Sequence, residues 1–97
     1  MFLKIHRVPG AGDVVAVCDC ELMNTTLCTG DIDVPITEAF YGDCQVSENE
    51  IREALQKADN ANLMGERAVA LAVELGLVSR AGCIMIGEVP HAQIFRL

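Results

Sequence analysis

The sequence predicts an α+β fold: a single two-layer domain spanning residues 1–97, with a small, mainly antiparallel sheet and two principal helices packed on one face. Three observations lead there. Short alternating or apolar runs bounded by turn formers stand at both ends of the chain, and two stretches of helical periodicity lie side by side between them. Of the 97 residues, 52% are hydrophobic and only 4% aromatic, so the core is built from Val, Leu, Ile, Ala and Met. That composition also argues against disorder.

Phe2-Leu-Lys-Ile-His-Arg-Val8 alternates apolar and polar residues, and Asp13-Val-Val-Ala-Val-Cys18 follows the turn-forming Pro9-Gly-Ala-Gly12. The pair predicts two hairpin strands. Asp19 is placed to cap a short turn through Glu21-Leu22-Met23. Thr25-Thr-Leu-Cys28 and Gly30-Asp31 then lead into Ile32-Asp-Val-Pro-Ile36, a third strand that Pro35 confines to a short or edge position. Phe40-Tyr41-Gly42-Asp43 reads as a turn.

Ser47-Glu-Asn-Glu50 is a capping box: the Ser47 hydroxyl accepts from the Glu50 N–H while Glu50 reaches back to the Ser47 N–H. Ile51, Ala54, Leu55 and Ala58 follow at the i, i+3, i+4, i+7 spacing of one buried stripe. A second helix is expected to start near Asn60 or Asn62, either of which can cap it, and to run to Leu75 with Gly76 in the left-handed position. Its apolar residues cover nearly the whole circumference, which predicts the more buried helix. Cys83-Ile-Met-Ile86 is a short apolar strand between Gly82 and Gly87. Pro90 interrupts it, and His91 to Leu97 resumes as a final extended segment.

The formal charge of -7 comes from 14 acids and 7 bases. Residues 13–59 hold eleven of the acids and two of the bases. An acid excess argues against diffuse binding to nucleic acid, which depends on neutralising phosphates, and leaves room for a small local basic patch. Five cysteines without a secretion-signal pattern predict a reducing, cytoplasmic setting. No stretch approaches the roughly 18 apolar residues of a membrane span, so no membrane role is expected.

The cysteine spacings lack the two-to-four-residue gap of a structural zinc knuckle, and small core residues are the reading they favour. Neither a metal nor a cofactor is expected. Asp31 and Asp33, or Glu48, Glu50 and Glu53, lack the ligand loop that hard cations prefer. His6 reads as a sheet residue. His91 has Pro90 before it, and Gln93 lies on the same side of an extended chain.

The strongest candidate is the polar, glycine-bearing helix entry Asn60-Ala-Asn62-Leu-Met-Gly65-Glu-Arg67. Helix entries present unpaired N–H groups and the positive end of the macrodipole. Gly65 costs a helix interior about 1 kcal/mol relative to Ala, which suggests close packing or room for a ligand. Arg67 is unfavourable in a first turn unless it meets an anion, either an internal acid such as Asp43 or Asp59 or an external ligand.

Phe40-Tyr41-Gly42, Asn62-Leu-Met-Gly65-Glu-Arg67 and Val89-Pro90-His91-Ala92-Gln93, in this order, resemble the archaeal family known as domain of unknown function 424. The resemblance extends over nearly the whole chain, including Val15 to Asp19 and the apolar helix after Arg67. It implies an archaeal, cytosolic α+β domain in the setting of translation and RNA metabolism, and it carries over no catalytic residue.

These readings converge on a non-enzymatic binding or adaptor domain. Asn62 and Gly65 would offer helix-entry donors, Arg67 a charge-assisted contact to an anion, and His91 and Gln93 directional hydrogen bonds. The expected partner is a protein or a local RNA feature. One alternative is a small enzyme acting on an anionic metabolite, with His91 as acid or base and Arg67 holding the charge. In the other, the same residues only stitch helix to strand.

Overall fold

Alternation at the start of the chain folds as expected: β1 (Phe2–Val8) pairs antiparallel with β2 (Gly12–Cys18), Phe2 opposite Cys18 and Val8 opposite Gly12. The computed structural model describes residues 1–10 and 12–95. Ala11 in the expected first turn, and Arg96 and Leu97 at the end of the expected last strand, lie outside the described residues.

After a 3-10 turn at Cys20–Leu22, β3 (Thr26–Thr29) and β4 (Ile32–Pro35) form a hairpin of their own. The segment read as one strand with a lead-in is thus two. The expected turn at Phe40 begins instead as a short helix, α1 (Glu38–Tyr41). Its last carbonyls are satisfied from β1, where Lys4 Nζ donates to Ala39 C=O at 3.0 Å and His6 Nε2 lies 2.6 Å from Phe40 C=O.

The capping box forms α2 (Glu48–Lys57), with Ser47 Oγ accepting from the Glu50 N–H at 3.3 Å. Ile51 and Leu55 are fully buried on its inner stripe. Each such side chain contributes roughly 1.5–3 kcal/mol through burial.

The next element corrects the sequence expectation. Asn60 and Asn62 cap no helix, because Asn60–Met64 is a strand, β5, and α3 runs only from Glu66 to Glu74. The physical reason is the alternation Asn60-Ala61-Asn62-Leu63: Ala61 and Leu63 are buried while Asn60 and Asn62 are half-buried on the opposite face. The C-terminus of α3 does follow the expectation. Gly76 takes φ +74°, its N–H donates to Val73 C=O, and the Leu77 N–H reaches Ala72 C=O. These two bonds make a Schellman cap.

The chain closes with β6 (Ile84–Ile86) and β7 (Val89–Phe95). Pro90 does not interrupt β7. The Gly65 N–H donates to Pro90 C=O, whereas the Gly65 C=O turns into α3 and accepts from the Val69 N–H. The position facing Gly65 therefore needs no donor, and proline has none to give.

The five-stranded sheet has the order β1-β2-β5-β7-β6. Only the β2–β5 pairing is parallel. Both principal helices lie on one face, where Val17, Leu63 and Ile94 meet Ile51, Leu55 and Val69 in the larger core. On the other face a smaller core gathers Ala16, Cys18 and Met64 beneath Ile36 and Tyr41. That second cover reaches only one end of the sheet.

Candidate functional site

Strands β2 and β5 run parallel, and the chain leaves them in opposite directions, from β5 into α3 on the helical face and from β2 toward the hairpin. Such a divergence opens a crevice beyond the carboxyl ends of the strands, the usual place for a ligand in an open α/β sheet. Here a cavity of about 150 Å³ remains, with Asp19, Glu21, Glu66 and Glu88 in its lining, and the Asp19 carboxylate is turned into the start of α3. Its Oδ2 accepts from the Arg67 N–H at 3.0 Å and its Oδ1 from the Ala68 N–H at 2.9 Å, while its own N–H donates to Met64 C=O. The carboxylate is 2% exposed and caps α3 from 48 residues away.

The expectation that Asn62 and Gly65 present free helix-entry donors is corrected accordingly. Asn62 lies in β5, and the N–H groups of the entry serve Asp19 and the β7 ladder. Gly65 is required for two reasons. It takes φ +112°, and a Cβ there would stand 2.6 Å from Asp19 Oδ2 and 2.8 Å from Asp19 Cβ. Close packing, not room for a ligand, explains this glycine.

Arg67 does have an anionic partner, though neither Asp43 nor Asp59. Its guanidinium donates to Glu21 at 3.0 Å, with both side chains more than half exposed. The cavity beside His91 is lined by Gly82, Ile84, His91, Ala92 and Gln93, and Arg67 takes no part in it. Arg67 is engaged with Glu21, and His91 with the Leu63 carbonyl.

Asn62, His91 and Gln93 stand together elsewhere. Asn62 pairs directly with Gln93 and Met64 with His91, which puts the three polar side chains on the sheet face opposite the two principal helices. His91 Nδ1 lies 2.9 Å from Leu63 C=O. A carbonyl only accepts, so Nδ1 carries the proton and Nε2 is left as an acceptor in the neutral ring. Asn60 extends the row, paired with Phe95, whose ring is 68% exposed. Among the described residues, the side chains of Asn60, Asn62 and Gln93 have no hydrogen-bond partner.

This half of the face is electrostatically unlike the rest of the chain. Among the described residues of the five strands, none that points to it is an acid, while Lys4, His6 and His91 all do. His6 stacks on Phe40 with ring centroids 4.9 Å apart, adding an aromatic margin on the α1 side. Asn60 and Phe95 were not singled out from sequence as face residues. The signal was the period-two alternation of Asn60 to Leu63, masked by the helical pattern that follows.

The cysteines have no part in this surface. Cys18 is fully buried, and burial, reinforced by the neighbouring Asp19 charge, pushes its thiol up to about 12. Tyr41 packs in the same cluster, and burial raises its phenol to about 12. Among the described residues, no three His, Cys, Asp or Glu side chains are grouped to hold a metal ion, and no helix is long and apolar enough to cross a membrane.

Comparison with known proteins agrees with this picture of the fold. Residues 6–97 match the family model described as "Protein of unknown function (DUF424)". A crystal structure of an uncharacterized conserved protein from Methanopyrus kandleri is similar, with a TM-score of 0.80 and 30% identity over 99% of this chain and 92% of that one. A search of the curated proteins finds no match.

Proposed function

From the premise that the chain belongs to the DUF424 family, we propose that it is a non-enzymatic binding domain working through the uncovered half of its sheet. Its proposed partner is a local single-stranded RNA feature. One observation carries the reading: the unpartnered amides of Asn60, Asn62 and Gln93 form a row beside the exposed Phe95 ring, on a face without strand acids.

Side-chain amides read the donor and acceptor edges of unpaired bases, and an exposed aromatic ring offers a stacking surface for them. His91 Nε2 adds an acceptor at one end of the row, and Lys4 and His6 add basic character at the side. The overall charge of -7 restricts contact to this face, since exposed charges farther away than about 8 Å are largely screened at physiological salt. Binding of this kind engages few phosphates, so its salt dependence is shallow, roughly 0.7 log units of affinity per log unit of salt for each phosphate neutralised.

Fluorescence anisotropy with a labelled, mixed-sequence single-stranded RNA tests the reading. The expected result is saturable binding that the same RNA loses when annealed to its complement, and that weakens roughly tenfold or more in Phe95→Ala. Equal binding of both forms, or no effect of Phe95→Ala together with Asn62→Ala, would overturn it.

A further inference from the structure

The outer edge of the sheet at β1 is only half occupied. At its beginning a short segment of the chain itself bridges to it: the Leu3 N–H donates to Cys44 C=O, the Val46 N–H donates to Met1 C=O, and Phe2 bridges antiparallel to Gln45. Main-chain groups alternate sides along a strand, so those of Ile5 and Arg7 point to the same outer edge as those of Met1 and Leu3. Among the described residues, neither Ile5 nor Arg7 has a main-chain partner there.

Beside this free edge lies a cavity of about 370 Å³, on the helical face between β1, β2 and α2. Ile5, Val15, Ala54 and Ala58 give it apolar walls, and Lys57 and Asp59 supply both signs of charge. Lys57 and Asp59 are exposed and, among the described residues, without a partner. The Ile5 side chain, 41% exposed, marks the junction of edge and cavity.

We propose that the Ile5–Arg7 edge and this cavity together form a docking site for an extended peptide, which continues the sheet and lays one aliphatic side chain beneath Ile5. Added strands gain affinity from main-chain hydrogen bonds and specificity from pockets that take alternate side chains. Both parts are present at Ile5. The seated Cys44–Val46 segment is an internal example of chain added to this edge, and the Lys57 and Asp59 charges match a peptide carrying an acid and a base around its aliphatic residue. The site lies on the opposite face from Asn62 and Gln93 and does not depend on the RNA reading.

The test is an amide-shift titration of the protein with the blocked peptide acetyl-Lys-Thr-Leu-Thr-Glu-amide, with the same peptide carrying Asp in place of Leu as control. Saturable shifts at Ile5, Arg7, Val15, Ala54 and Ala58 are expected with the Leu peptide alone. Arg7→Pro removes an outward donor and no main-chain bond to β2, losing besides only the exposed Arg7–Asp13 ion pair, and Ala54→Phe fills the cavity; each should abolish the shifts and leave RNA binding unchanged. Absence of shifts, equal shifts with the Asp peptide, shifts centred on Asn62 and Gln93, or persistence of the shifts in Ala54→Phe would overturn the proposal.

Discussion

The Asp19 carboxylate occupies the space that a side chain at Gly65 would need, with Oδ2 only 2.6 Å from the position of a Cβ there. The same carboxylate holds the first N–H groups of α3. Strand end and helix start are therefore fitted to each other, and the Arg67 and Ala68 N–H groups at the helix start are taken by the protein's own anion.

Gly65→Ala should be among the most damaging single changes in the chain. It places a Cβ on backbone at φ +112° and against a fully engaged carboxylate. Strain of this type costs about 1–3 kcal/mol and overpacking a similar amount. Urea unfolding should show a loss of roughly 2–5 kcal/mol, and a loss below about 1 kcal/mol would contradict the packing described.

Asp19→Ala should destabilise more than Asp19→Asn. Alanine leaves both the Arg67 and Ala68 N–H groups without their acceptor, whereas asparagine keeps one oxygen in place. Unsatisfied buried donors cost about 1–3 kcal/mol each. Thermal unfolding of the two variants should keep that order.

Stability should fall in alkali. Cys18 is raised from 9.0 to about 12 and Tyr41 from 10.0 to about 12, so the native state keeps both protons after the unfolded chain has lost them. Their contribution is whole below pH 9.0 and declines as pH rises toward about 12, at up to about 1.4 kcal/mol per pH unit for each group. Denaturant midpoints across this range test the slope. The only tyrosine gives an independent optical check, because its phenolate band should rise near 12 in the native protein.

Arg67→Ala separates the two groups of candidate residues. Its ion pair with Glu21 is exposed on both sides, and such pairs contribute about 0–1 kcal/mol. A change in stability within that range and unaltered RNA affinity are expected, while Asn62→Ala and Gln93→Ala should each weaken binding in the anisotropy assay. Loss of binding in Arg67→Ala would return the working surface to the helix entry.

What the sequence displayed clearly was local. Ser47 and Glu50 lie three residues apart and Gly76 sits beside the residues it caps, so α2 and the end of α3 could be read directly. The β1–β2 hairpin was legible in the same way. The start of α3 was not, because its cap is Asp19, whose side chain next to Cys20 looks like the cap of a neighbouring short turn. Once α3 was extended back over Asn60 and Asn62, the strand alternation there was lost with it. Gly65 and Arg67 were correctly marked as unusual, yet the partners that explain them, Asp19 and Glu21, are set by the β2–β5 pairing. The conjunction of Asn62, His91 and Gln93 on one face required the Asn62–Gln93 register, which no local pattern carries.

The fit between Asp19 and Gly65 also constrains how the chain can change by descent. Position 65 cannot acquire a side chain while 19 keeps its carboxylate, and 19 cannot lose the carboxylate without exposing the helix start that 65 leads into. Relatives that keep this architecture should retain the acid and the glycine together or replace both, so the two positions, 46 residues apart in sequence, are inherited as one character.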